Sequence, residues 1–265
     1  MANSAAIGVF DSGIGGLSVA CAVRELLPNE RLIYVADSGH APYGEKTDEF
    51  IYQRIQLISQ NLIQQGVKAI VVACNTATTA AIARLRAECP LPVIGVEPGI
   101  KPAVLASKSG VVGVLATPRT LLTPAFATLA QRYADQANVI LQPCPQLVPL
   151  IEALDFNSGS ISNVLKSYIQ PLLALGADTL VLGCTHYNFV ADTIAKIAGP
   201  TVSIVRTEMA VAKQLQQRLA QAQLLNTGAK IGADTFYTTG EVALFNRQLQ
   251  QFWPVAVAAE PACYD

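Results

Sequence analysis

Two stretches of this chain repeat one another. Gly66-Val67-Lys68-Ala69-Ile70-Val71-Val72-Ala73-Cys74-Asn75-Thr76 is matched by Gly176-Ala177-Asp178-Thr179-Leu180-Val181-Leu182-Gly183-Cys184-Thr185-His186, at a constant offset of 110 residues. Ahead of the two glycines, Leu62 and Ile63 are answered by Leu172 and Leu173. In both copies a short apolar run ends in a thiol and turns polar at once. A run of about five such residues suits a strand buried on both faces of a parallel sheet. The segment from Asn75 to Cys89 then reads as a helix with Ala80, Ile82, Ala83 and Leu85 turned inward. Each cysteine is thereby expected at the carboxyl end of a strand and the mouth of a helix, the crevice where open α/β sheets bind ligands.

The repeat reaches further. Val112-Gly113-Val114-Leu115-Ala116-Thr117 resembles the opening Ile7-Gly8-Val9-Phe10-Asp11-Ser12, so a second half begins in the style of the first. With 265 residues, 51% of them apolar and only 14% charged, the chain suits two α/β domains with helix-covered, mainly parallel sheets. The formal charge of −1 and the lack of a basic cluster exclude an obvious nucleic-acid or anionic-membrane surface. No segment offers the ~20 uninterrupted apolar residues of a membrane span. The opening Met1-Ala2-Asn3-Ser4-Ala5-Ala6 lacks the features of a signal peptide. Six cysteines are dispersed with no CxxC pair, which argues for thiols in a reducing cytoplasm and against a disulfide scaffold or zinc site.

The intervening chain reads as alternating strands and helices. Leu32–Ala36 is a second strand, leading through Asp37 into a loop with His40, Pro42, Tyr43, Gly44 and Lys46. Asp48–Gln65 is an amphipathic helix with an Ile51, Ile55, Ile58, Leu62 stripe and Gly66 as its cap. Thr123 and Pro124 open another helix. Strands are expected at Val139–Gln142, Val202–Val205 and Thr235–Tyr237, a turn at Asn157–Ser160, and a surface tail after Pro254.

The chemistry follows from the paired thiols. A free cysteine is most often a small buried hydrophobe, and that reading suits Cys21, Cys89 and Cys263. Cys74 and Cys184 differ in sharing a strand-end position and an internal symmetry. The partial positive charge at a helix amino terminus favours a thiolate there. Two acid/base groups on opposite faces of one carbon are what a racemase requires, one removing a proton while the other returns one. His186, two residues past Cys184, is placed to polarise that thiol or the substrate. His40 has no such support and reads as surface or structural. In Asp11-Ser12-Gly13-Ile14-Gly15-Gly16 a dinucleotide fingerprint fails because Ser18 stands at the third glycine. A cradle for a carboxylate at a helix amino terminus is more economical. Asp11 could then hold an ammonium group, serve Cys74 or simply cap the helix. A nucleotide-binding module built on this glycine-rich loop is the reading from a different class.

Gly8 through Ser18, Ala41-Pro42-Tyr43-Gly44-Glu45-Lys46, Ala73-Cys74-Asn75-Thr76-Ala77, Cys144-Pro145 with Leu147-Val148-Pro149-Leu150-Ile151-Glu152, and Leu182-Gly183-Cys184-Thr185-His186-Tyr187 together closely resemble the glutamate racemases, in order and over almost the whole chain. The resemblance implies two α/β domains related by pseudo-twofold symmetry with the active site between them. The first, over 1–97 plus 208–265, would carry Cys74 and the second, over 98–207, Cys184. It implies interconversion of L- and D-glutamate without pyridoxal phosphate, metal or other cofactor, in the cytoplasm, supplying D-glutamate for peptidoglycan. Cys74 would deprotonate D-glutamate and Cys184 L-glutamate, with Asp11, Glu152 and His186 as auxiliary polar groups. Asp11, Ser12, Pro42, Tyr43, Gly44, Asn75, Thr76, Thr117, Thr185 and His186 fall on substrate-contacting positions. The partner implied is a small molecule, neither nucleic acid nor membrane, and a homodimer is compatible with it. An aspartate or broader amino-acid racemase is the near alternative, differing in pocket depth.

Overall fold

A computed structural model describes residues 3–156, 159–230, 232–262 and Tyr264. The chain divides into two compact units, Met1–Val96 with Glu208–Asp265, and Glu97–Thr207. Both are parallel α/β sheets, as the apolar runs predict.

The first unit holds β1 (Ile7–Asp11), β2 (Leu32–Ala36), β3 (Ala69–Val72) and β4 (Val93–Gly95). The second holds β5 (Val111–Ala116), β6 (Asn138–Pro143), β7 (Thr179–Leu182) and β8 (Ser203–Val205). The chain then returns to the first unit and adds β9 (Thr235–Thr238) and β10 (Ala259–Pro261). The sheet orders are β10-β9-β2-β1-β3-β4 and β6-β5-β7-β8, with parallel pairing throughout. Every residue of β1, β2, β3 and β7 is buried. Helical crossovers cover both faces, which is why these strands read as continuous rather than alternating apolar runs.

The sequence repeat is a structural repeat in register. Ile7 lies opposite Ala69, and its counterpart Val112 lies opposite Thr179. A Cβ on Gly8 would stand 2.9 Å from Leu62 Cδ1, and one on Gly113 would stand 2.8 Å from Leu172 Cδ1. The same glycine in each central strand therefore admits the same leucine of the helix that leads into the cysteine-bearing strand.

Those helices also end alike. The helix Asp48–Gln64 starts at Thr47, whose hydroxyl accepts from the Phe50 amide, and Asp48 and Glu49 sit in its first turn. It buries Ile51, Ile55, Ile58 and Leu62 on one face, each worth roughly 1.5–3 kcal/mol relative to exposure. It stops at Gly66, φ 76°, with Gly66 N donating to Ile63 O and Val67 N to Leu62 O. The helix Ser160–Ala174 stops at Gly176, φ 87°, with Gly176 N donating to Leu173 O and Ala177 N to Leu172 O. Both are Schellman ends, and the left-handed residue each needs is glycine.

Some expectations require correction. In the helix Asn75–Glu88 Ala81, Ile82 and Leu85 are buried and Ala80 packs partly buried against the core, whereas Ala83 is exposed. The tail after Pro254 forms the edge strand β10 on β9. Short helices at Ile100–Ala106, Pro118–Leu122 and Leu147–Glu152 went unread because they are too brief to show a period. Of the turn expected at Asn157–Ser160, Asn157 and Ser158 lie outside the described residues, as does Cys263. Cys21 and Cys89 are only partly buried. Among the described residues, no helix is long and apolar enough to cross a membrane.

Candidate active site

Each sheet reverses its winding direction at one point, between β1 and β3 in the first unit and between β5 and β7 in the second. That reversal opens a crevice at the carboxyl ends of the strands, the usual ligand position in open α/β sheets. Both thiols of the repeat stand there.

Cys74 leaves β3 in extended conformation, φ −130° and ψ 119°, and caps the helix Asn75–Glu88. The Ala77 amide donates to its Sγ at 3.5 Å, so the sulfur faces the positive end of the helix. Ser12 Oγ lies 3.7 Å from the same Sγ. Asp11, the fully buried last residue of β1, accepts from Ser12 N at 2.5 Å and from Ser12 Oγ at 3.1 Å. Carboxylate, hydroxyl and thiol thus form one chain. Asp11 is not a helix cap: the following helix Leu17–Leu26 starts at Gly16 without a side-chain cap. Gly16 is required by space, since a Cβ there would stand 2.7 Å from Asp11 Cβ and 3.0 Å from Ala73 Cβ. Tyr34 Oη donates to Gly13 O at 2.8 Å and pins the glycine-rich loop. Asn75 and Thr76 are buried in the first turn after Cys74, and Asn75 Nδ2 donates to Val96 O at 3.1 Å.

The loop after β2 carries Pro42, behind a cis Ala41–Pro42 bond, and the 3-10 turn Tyr43–Glu45 that includes Gly44. Tyr43 is buried and donates to Asp37 Oδ2 at 2.5 Å. Asp37 is fully buried and also accepts from Arg54 Nε at 3.0 Å, from Arg54 Nη2 at 2.8 Å and from Thr239 Oγ1 at 2.8 Å. His40 Nδ1 lies 3.0 Å from Asp37 Oδ1, so this histidine braces the loop. Burial opposes the charge on Asp37, yet the hydrogen bonds from Arg54, Tyr43 and Thr239 hold its carboxyl below the ordinary value. Burial, and then the charge of Asp37, push the Tyr43 phenol well above its ordinary value.

Sequence reading left Arg54 and Thr239 out and gave Asp37 no place in the site. One signal was present. Arg54 sits on the inward face of its helix between Ile51 and Ile58, and a charge on an apolar face needs a buried partner.

In the second unit Cys184 follows β7 in extended conformation, φ −144° and ψ 134°. Here the local structure departs from expectation: a 3-10 helix, Thr185–Val190, follows the thiol, and the α-helix Ala191–Ala198 begins only after it. Cys184 makes no capping hydrogen bond. Its Sγ lies 3.8 Å from His186 Nδ1, and His186 Nε2 lies 2.6 Å from Glu152 Oε1. The buried imidazole is thus gripped between thiol and carboxylate. Burial works against its charge, but the hydrogen bonds to Cys184 and Glu152 prevail and raise its pKa well above the ordinary histidine value. Glu152 arrives on the short helix Leu147–Glu152. Thr117 ends the strand run of β5 and caps the helix Pro118–Leu122, accepting from Thr120 N at 3.3 Å. Thr185 is buried beside Cys184. Behind them Tyr187 Oη donates to Cys144 O at 3.2 Å. Burial, followed by the proximity of Cys184, raises the Cys144 thiol and the Tyr187 phenol.

The structure therefore groups the candidate residues into two sets. Asp11, Ser12, Pro42, Tyr43, Gly44, Cys74, Asn75 and Thr76 belong to the first unit, and Thr117, Glu152, Cys184, Thr185 and His186 to the second. Each set offers a buried thiol with its own polar relay, suited to moving a proton at a ligand atom. Among the described residues no group of three or more His, Cys, Asp or Glu side chains could hold a metal ion.

Comparison with known proteins gives the chain its family. Residues 18–227 match the Asp/Glu/Hydantoin racemase family. The glutamate racemase of Ectopseudomonas mendocina is 51% identical over 241 residues, 91% of each chain. The crystal structure of a glutamate racemase isoform from Bacillus anthracis superimposes with a TM-score of 0.90 at 30% identity, covering 98% of both chains. That of the Francisella tularensis glutamate racemase in complex with D-glutamate gives 0.86 at 32% identity, over 99% of this chain and 98% of that one. A family model matched over residues 18–227 and a relative 51% identical over 91% of each chain place the chain in the Asp/Glu/hydantoin racemase family.

Proposed function

We propose that this chain interconverts L- and D-glutamate by passing protons through two cysteines, with no cofactor. The observation that carries the reading is the pair of buried thiols at equivalent strand ends, each with a separate relay. The Francisella tularensis relative, solved with D-glutamate, supports the choice of substrate.

In this reading the thiols approach one α-carbon from opposite faces. Cys74, as thiolate, removes the α-hydrogen of D-glutamate while Cys184, as thiol, donates to the other face; L-glutamate reverses the roles. Asp11 acts through Ser12 on the Cys74 side, and Glu152 acts through His186 on the Cys184 side. An imidazolium at His186 would stabilise the Cys184 thiolate after that thiol has given up its proton. Ser12, Pro42, Tyr43, Gly44, Asn75, Thr76, Thr117 and Thr185 receive the substrate, and the backbone amides of Gly13–Gly16 face its carboxylate. The intermediate carbanion is very basic. Fixed N–H donors, the retained substrate ammonium and exclusion of water are what lower its energy. The product D-glutamate would feed peptidoglycan synthesis in the cytoplasm.

The test is α-hydrogen exchange in deuterated water, followed by proton NMR on L- and D-glutamate separately, for the unaltered protein and for Cys74→Ser and Cys184→Ser. The unaltered protein should exchange and racemise both enantiomers, and each variant should lose racemisation. Wild-type rates in both variants would end the two-thiol scheme. Faster turnover of aspartate than of glutamate would reassign the substrate.

A further inference from the structure

We propose that Asp37, Arg54 and Thr239 form a positioning clamp that sets the Tyr43–Gly44 turn beside Cys74, extending the first half-site to residues 202 positions apart in the chain. The inference rests on the glutamate racemase reading and names residues whose role that reading leaves open.

The Arg54–Asp37 pair is costly to build. Two charges leave water, and an apolar pair of similar volume often serves stability as well or better. A pair kept in such a place is most useful when it fixes a geometry. Here the geometry is explicit. Arg54 reaches inward from the helix Asp48–Gln64 and holds both oxygens of Asp37 as a planar fork. Oδ2 also receives the Tyr43 hydroxyl, and Oδ1 also meets Thr239 Oγ1 and His40 Nδ1. A carboxylate has about four acceptor sites, and these contacts occupy them. Asp37 therefore has no capacity left for substrate or proton transfer, and it acts through position.

The clamp reaches Cys74 through Tyr43. Tyr43 and Cys74 belong to one packed cluster with Ala77, and the Tyr43–Glu45 turn lies on the helix that Cys74 caps. The Tyr43 hydroxyl is committed to Asp37, so what this turn offers a ligand is its backbone, held in place by the ring. The far side of the clamp comes from the returning carboxyl-terminal segment. Thr239 N donates to Ala36 O at 3.0 Å, and Thr239 Oγ1 accepts from Gly39 N at 3.1 Å while donating to Asp37. The two turns interlock so closely that a Cβ on Gly39 would stand 2.5 Å from Thr239 O. The segment after the second unit thus closes the substrate loop of the first.

The test compares Asp37→Asn, Arg54→Met, Arg54→Lys and Thr239→Val in the full chain. Steady-state kinetics on both enantiomers would be normalised to the folded fraction from circular dichroism. Asp37→Asn should lower kcat/KM about 100-fold, the scale of a displacement of about 1 Å at a reacting site. Thr239→Val, which removes one neutral hydrogen bond, should lower it about fivefold. Arg54→Lys should recover part of what Arg54→Met loses. Mirror-image substrates have an equilibrium constant of one, so kcat/KM must fall equally in both directions. The discriminating reading is the primary isotope effect with 2-deuterated substrate. It should rise for D-glutamate, whose hydrogen Cys74 removes, and stay level for L-glutamate. Activity lost only in proportion to unfolded protein, or isotope effects that do not separate the enantiomers, would overturn the clamp. Failure of the unaltered protein to racemise glutamate would instead overturn the underlying reading and the clamp with it. Should Asp37→Asn fail to fold, Thr239→Val carries the decision, because it deletes only a hydroxyl.

Discussion

Cys74 and Cys184 occupy equivalent strand ends yet keep different company. Around Cys74 stand the Ala77 amide and the Ser12 hydroxyl, backed by Asp11. Around Cys184 the partner is an ionisable ring held by a carboxylate, and no capping amide is used. The duplicated strands keep their register because a one-residue shift would move every packed side chain. The connections beyond them are not held that way. The first copy continues at once into an α-helix, whose dipole can support a thiolate. The second continues into a 3-10 turn, and a full positive charge on His186 can take the place of the dipole.

The hardest blow to this pairing would be unequal dependence on the thiols. Cys74→Ala and Cys184→Ala should each lower kcat for racemisation about 1,000-fold, within the usual range for a lost acid/base group. Substantial turnover in either variant, followed by polarimetry, would break the symmetry of roles. Next in size is the difference between the relays. His186→Asn should lower kcat about 100-fold and Ser12→Ala about tenfold, because an ionised partner contributes more than a neutral one. Equal losses would show the relays to be equivalent.

The pH dependence of stability should set His186 and Asp37 apart in opposite directions. Folding raises the pKa of His186 above 6.5. Its stabilisation is therefore fully present below 6.5 and is lost as pH rises through the folded value. Asp37 is shifted down from 3.8, so its contribution is present above 3.8 and is lost as pH falls through the lower folded value. Urea midpoints measured across pH should show Glu152→Gln moving the alkaline loss to lower pH while leaving the acid limb unchanged. Asp37→Asn should reduce the acid limb, to which the lowered carboxyl of Asp178 also contributes, and leave the alkaline loss in place. The smallest effect tests the part of the comparison where the halves agree. Gly66→Ala and Gly176→Ala meet no atoms within 4 Å, but both sites are left-handed, so each should cost about 1–2 kcal/mol. Thermal denaturation that separated them widely would show that the two helix ends are not equivalent.

Much of this was legible from residues near one another in the chain. The apolar runs before Cys74 and Cys184 could be placed as buried strands, and the glycines at 66 and 176 as helix ends, because backbone pairing and capping depend on neighbours. The fold class followed from their repetition. The phase of the helix after Cys74 was missed by one residue at Ala83, since few large apolar residues mark its inner face. The 3-10 turn after Cys184 was hidden by likeness to the first copy.

Local pattern alone thus determined where strands end and which thiols stand at those ends. Only the tertiary structure decided what each thiol touches. Glu152 meets His186 across 34 residues and Thr239 meets Asp37 across 202. No spacing rule spans such distances, because the partner of a buried charge is chosen by which loops converge on it. Burial then enforces the choice, since an unpaired charge in that place would cost several kcal/mol.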